Sequence, residues 1–132
     1  MKEIFKPGDK KTYRRQVKKD DVAVFEAGLV HPVYATFALA RDAEWVGRLF
    51  VLEMKEEHEE GIGTFIQVTH HSPALIGEEV TFEAVVKSIV RNEIICSYRA
   101  SCGDRLIADG EVGQKILKKE KLEGIFAALK AS

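Results

Sequence analysis

Cysteine is scarce: the 132 residues hold two, Cys96 and Cys102, spaced for neither a CxxC metal or redox motif nor a disulfide framework. That usage points to a reduced, cytoplasmic protein. Proline occurs three times, so there is no Pro-rich linker. No apolar run approaches the ~20 residues that a membrane span needs. The N-terminal stretch MKEIFKPGDKK lacks an apolar core, which argues against a secretory signal. Neither sign of charge dominates, with 20 Lys and Arg against 21 Asp and Glu. A nucleic-acid footprint would need a basic excess on one face. The basic run KKTYRRQVKK at 10–19 is answered at once by Asp20 and Asp21, and reads as a solvated strand with its cations outward. Repeats and low-complexity segments are also missing. The length fits one domain over 1–132.

Two periodicities fill the rest. KPGD at 6–9 is a turn, TYRRQVKK at 12–19 a first strand, and 20–32 an irregular segment ending at Pro32. Residues 34–54 are rich in Ala, Leu, Arg and Glu and predict a long, largely buried helix. KEEHEEGIG at 55–63 reads as a charged loop. The period then changes to two. Ile66 and Val68 alternate with Gln67 and Thr69. Val80, Phe82, Ala84, Val86 and Val90 share one face. Ile94, Cys96, Tyr98, Ala100 and Cys102 share another, as do Leu106, Ala108, Val112 and Ile116. Short turns at RNE and CGDR join these runs into an antiparallel meander. The tail KLEGIFAALK spaces its apolar residues as a short amphipathic helix. A sheet with one face to bury and a long apolar helix to cover it make an α+β domain.

His70 and His71 are adjacent in a strand, so they point to opposite faces. His70 shares its face with Ile66 and Val68 and should look inward; His71 should look out. A lone inward histidine needs no more than a hydrogen-bond partner. No ligand triad has sensible spacing, so no metal is expected. On the helix, Glu44 stands among apolar residues, and burying a carboxylate is costly unless it is paired. An i,i+4 pair with Arg48 would be an ordinary explanation. Thr36, Ala40, Ala43 and Gly47 form a stripe of small residues, suited to close approach by a ligand or simply by the sheet. Thr36 stands where a helix N-cap would. Eight residues of helix span ~12 Å. Thr36 and Glu44 therefore cannot touch in one straight helix: either Thr36 folds back on a loop, or the site draws on two chains.

The segments VYATFALARDAEW and GTFIQVTHHSPALIGEEVTFEAVV resemble the fluoroacetyl-CoA thioesterase-like branch of the hotdog superfamily. The matching features are Ala-Thr before the helix, Glu-Trp eight residues on, and Gly-Thr followed by Val-Thr-His-x-x-Pro-x-x-x-Gly, within residues 33–118. The resemblance implies a hotdog fold, a long central helix wrapped by an antiparallel sheet of about five strands. It implies an acyl-CoA thioesterase acting as a homodimer or dimer of dimers, with no cofactor beyond the CoA of its substrate. It carries over Thr36, Glu44 and His70 as the catalytic set, and Gly63 and Thr64 beside the acyl group. Glu44 would attack the thioester or activate water, His70 would bind the thioester and protonate the thiolate, and Thr36 would orient Glu44. The segment 20–32 is shorter than its counterpart in the fluoroacetyl-selective enzyme, which carries an aromatic lid there. Phe25, Tyr34 or Phe37 could do that job here, with Tyr34 and Phe37 expected at the substrate beside Gly63 and Thr64, and selectivity for fluoroacetyl does not follow. A non-catalytic hotdog module that binds acyl-CoA is the alternative, since fold does not fix function. A hydratase would need a close Asp and His, which Asp42 and His31 do not supply.

Overall fold

A computed structural model describes residues 1–25 and 28–131; the side chains of Phe25, Leu29 and Val30 also lie outside the description. The first strand, β1 (Lys10–Gln16), is followed by a 3-10 turn at Lys19–Asp21. Next come β2 (Val22–Phe25), β3 (Gly28–Tyr34) and the helix α1 (Thr36–Met54). Then follow β4 (Glu59–Ile66), β5 (Thr69–His70), β6 (Glu79–Val90), β7 (Glu93–Cys102), β8 (Arg105–Lys118) and α2 (Lys119–Ala131). The main sheet runs β1-β6-β7-β8-β4, with β5 as a sixth strand on β8, and all of its pairings are antiparallel. This is the hotdog arrangement expected from the sequence: a sheet curled around one long helix. Among the described residues, no helix is long and apolar enough to cross a membrane.

Alternation built the meander as expected. Val80, Phe82, Ala84 and Val86 of β6 are buried, as are Ile94, Cys96, Tyr98 and Ala100 of β7. They meet Leu39, Ala43, Val46 and Phe50 from the inner face of α1. Val90 breaks the pattern and is exposed, because a register shift between Val86 and Ser88 reverses which face later residues occupy. Ile89 packs against the core instead. The small-residue stripe turns out to serve packing. Ala43 is fully buried, and a Cβ on Gly47 would stand 2.8 Å from Val112 Cγ2, so the glycine lets α1 approach β8.

Three other readings need correction. The segment 20–32 is not wholly irregular: β2 and β3 pair as a small separate sheet, rich in β-branched valine, with Pro32 tolerated in a two-stranded ribbon. The charged stretch at 55–63 is a loop only to His58, because its acids find partners that let β4 begin at Glu59. Glu59 meets the Met1 ammonium at 2.8 Å and Glu60 meets Arg48 at 2.9 Å. The basic run does not send every cation outward. Arg15 turns in and grips Asp21, which is fully buried, through Nε and Nη2 at 2.8–3.2 Å.

Candidate active site

α1 crosses the gap between the two edges of the curled sheet, β1 and β4, so one stripe of it is left uncovered. Phe37, Arg41, Glu44 and Trp45 lie on that stripe and are exposed. A cavity of about 580 Å³ opens there, walled by Tyr13 and Arg15 of β1, Gly61–Gly63 of β4 and the outer face of α1. Glu44 is therefore not buried among apolar residues, as its helix suggested. The expected pair with Arg48 is also absent. Arg48 turns away to Glu60, and Arg41 is held by Asp21 and Asp42 at 3.0 Å each. Among the described residues the Glu44 carboxylate has no hydrogen-bond partner or ion pair. It lies over Gly63, where an added Cβ would overlap Oε1. Gly63 thus permits close approach, here by a carboxylate.

His70 looks inward and His71 outward. Among the described residues the buried Nε2 of His70 has no partner, while its Nδ1 lies 3.0 Å from the Thr36 hydroxyl. Burial lowers the His70 pKa below its ordinary value, the neighbouring His71 acts the same way, and a Ser72 backbone contact opposes them. The ring is thus held neutral at pH 7, with one nitrogen occupied by Thr36 and the other presented to the interior. β5 holds this position through backbone pairing of Thr69 with Asp109 and of His70 with Ala108. On the outer face His71 Nε2 meets Asp109 Oδ1 at 2.9 Å.

Thr36 is the first residue of α1 rather than its cap; Ala35 occupies the cap position, and no side chain bonds there. The Thr36 hydroxyl is directed to His70. The structure thus joins Thr36 with His70 and leaves Glu44 two turns along the helix with Gly63. Tyr34 lies in the core rather than on the stripe that carries Glu44. It is 1% exposed, and its hydroxyl donates to Asp42. Burial and the Asp42 charge raise its pKa. Thr64 sits at the irregularity between Gly63 and Phe65, with its hydroxyl against Gly113. Phe37 is exposed on the same stripe as Glu44. Phe25 lies outside the described side chains. The sequence reading missed the ion-pair group in which Arg15 and Arg41 meet the buried carboxylates of Asp21 and Asp42. Its one visible signal was the pair Asp20 and Asp21 set directly after a basic run.

The model of a family described as fluoroacetyl-CoA-specific thioesterase matches residues 17–120. The chain belongs to that family. Membership makes it a thioester hydrolase by class. A Thermus thermophilus hypothetical protein, described as a thioesterase superfamily member, is 34% identical. Its structure superposes with a TM-score of 0.91 over 96% of this chain and 93% of that one. The fluoroacetyl-CoA thioesterase FlK shares 22% identity, with a TM-score of 0.86 over 94% and 96% of the two chains. A hot-dog-like protein from Thermanaerovibrio acidaminovorans shares 20%, with a TM-score of 0.87 over 96% and 93%. At those two identities the likeness speaks for the fold alone. No curated protein matches the chain in sequence.

Proposed function

We propose that the protein hydrolyses a small acyl-CoA thioester to the free acid and CoA, at a site shared between two copies of the chain. The observation that carries this reading is the division of the motif residues. Thr36 and His70 form one hydrogen-bonded half-site, and Glu44 over Gly63 forms the other. Eight residues of continuous helix separate the halves by ~12 Å. Two copies related by a twofold axis would bring each half against its complement. The surface around Glu44 supports such a contact. β4 is an edge strand, and its Ile62, Phe65 and Ile66 are about 40% exposed, as is Trp45 on the facing helix. An apolar edge of this kind is a template for pairing with another chain.

The chemistry follows from the two halves. His70, neutral and steered by Thr36, directs Nε2 at the thioester and hydrogen-bonds the carbonyl; the departing thiolate then takes, by way of the ring, the proton that Glu44 has drawn from the attacking water, so that His70 and Glu44 both end as they began. Glu44, unneutralised by any cation, takes a proton from the attacking water or attacks the carbonyl itself. CoA enters as part of the substrate, and no cofactor is needed. A fluoroacetyl-CoA thioesterase variant has been solved with fluoroacetate and CoA bound, which supports an acyl-CoA ligand for this family member. Free Cys96 and Cys102 fit a reducing, cytoplasmic setting.

Subunit complementation tests the shared site. Glu44→Gln and His70→Ala are each purified, mixed, unfolded and refolded together. A site shared between copies is intact once in every mixed dimer. The mixture then recovers about a quarter of wild-type thiol release, although each parent is inactive. A mixture as inactive as its parents, with dimers present by light scattering, would refute the shared site.

A further inference from the structure

The charged groups around Glu44 are arranged so that every nearby cation is taken by some other acid. Arg48 is four residues on from Glu44 and lines the same cavity, a spacing at which opposite charges on a helix normally meet. It is drawn away by Glu60, whose Oε1 accepts from Arg48 Nη2 and from the Gly61 amide, each at 2.9 Å. Lys55 lies 3.9 Å from the other Glu60 oxygen. Gly61 contributes by its lack of a side chain: a Cβ there would stand 2.5 Å from Val51 Cγ1 and 3.3 Å from Arg48 Nη1, so the glycine lets α1 come close and Arg48 pass over the strand. Glu44 lies over Gly63 in the same manner, so two glycines two positions apart on β4 receive two helix side chains one turn apart.

We propose that Glu60 is a positioning residue that keeps Arg48 off Glu44, so that the Glu44 carboxylate stays unpaired and able to react. This inference rests on Glu44 being the reacting carboxylate. The polar groups that line the cavity with Glu44 are Arg41, Asp42 and Arg48 on α1, Tyr13 and Arg15 on β1, and Gln114 on β8. Arg15 and Arg41 are committed to Asp21 and Asp42, which leaves Arg48 as the cation that a single loss of partner would release. Once released, it stands at the i,i+4 spacing from Glu44 at which opposite charges on a helix pair. An opposite charge that close favours the ionised carboxylate, lowers its basicity and fixes its position. Glu60→Gln keeps the acceptor for the Gly61 amide and the size of the side chain, and removes the charge that holds Arg48.

The test compares Glu60→Gln, the double variant Glu60→Gln/Arg48→Gln and Glu44→Gln by thiol release from acetyl-CoA, hexanoyl-CoA and phenylacetyl-CoA. For Glu60→Gln, kcat should fall about tenfold with KM little changed. The double variant should return to within about threefold of wild type, because the freed cation is gone. Structural damage at Glu60 would not be repaired by a second loss at Arg48. An unchanged kcat in Glu60→Gln, or a double variant no better than Glu60→Gln, overturns the inference while leaving Glu44 as the reacting group. A fully active Glu44→Gln overturns both.

Discussion

Replacing Gly63 by alanine isolates the placement of Glu44 from everything else in the fold. Gly63 lies in an extended strand with no positive φ, so alanine fits the backbone, and the smaller unfolded-state entropy favours folding by about 0.4–1 kcal/mol. The added Cβ would stand 3.5 Å from Glu44 Cδ and overlap Oε1. To clear it, the carboxylate oxygen must withdraw by about 1 Å, a displacement that can lower a rate by about a hundredfold. Thermal melting and thiol release measured on the same preparation should therefore diverge: Tm unchanged or slightly raised, kcat down by about two decades. A Gly63→Ala enzyme with full kcat would show that Glu44 need not occupy the place it holds over β4. Equal loss of Tm and activity would show that the methyl damages the strand rather than the carboxylate.

Thr36→Val removes the hydroxyl that fixes His70 and should lower kcat about tenfold with little change in Tm, whereas Thr36→Ser should retain activity; equal losses in both variants would contradict the role of the hydroxyl. Asp21→Asn leaves Arg15 and Arg41 short of a buried counter-charge. Because both cations keep some solvent, the loss is about 2 kcal/mol, or about 8 °C in Tm by calorimetry, and an unchanged Tm would refute it. Burial alone would raise the Asp21 pKa, but Arg15, the Lys18 amide and Arg41 outweigh it and lower it. The stability it adds is therefore present above the unfolded carboxylate value and fades as pH falls through the lower folded one. The depressed His70 pKa acts on proton binding in the same direction: the folded ring resists protonation, so kcat/KM should hold as pH drops to about 6.5 and decline only below it. A pH–rate profile with a limb centred above pH 7 would contradict a neutral, buried His70.

The sheet and the main helix were legible because their burial is one-sided. A strand with one face on a core must alternate, and Val80 through Val86 and Ile94 through Ala100 do so. Val90 escaped because a one-residue bulge reverses the pattern without leaving a mark in composition. The strands β2 and β3 escaped because a two-stranded ribbon imposes no sustained alternation, and its register shifts twice within four residues. His70 was readable from the strand period alone. Glu44 was picked out for the wrong physical reason: its helix looks apolar all round, yet the sheet stays open between β1 and β4 and leaves that side uncovered. What frees Glu44 from Arg48 is Glu60, twelve residues beyond Arg48 and on another element. Helical spacing within α1 offered the i,i+4 pair and gave no hint of the competing partner. Tyr34, placed beside the substrate by residue type, is spent on Asp42 inside the core.

Thiol release from a panel of acetyl-, fluoroacetyl-, medium-chain and phenylacetyl-CoA, with wild type and Glu44→Gln side by side, tests the central claim most directly. Both proteins carry Cys96 and Cys102, so the variant corrects for the protein's own thiols. The account predicts that wild type hydrolyses at least one thioester and that Glu44→Gln loses about a hundredfold or more on it. Hydrolysis that survives in Glu44→Gln, or none by wild type on any member of the panel, would contradict it.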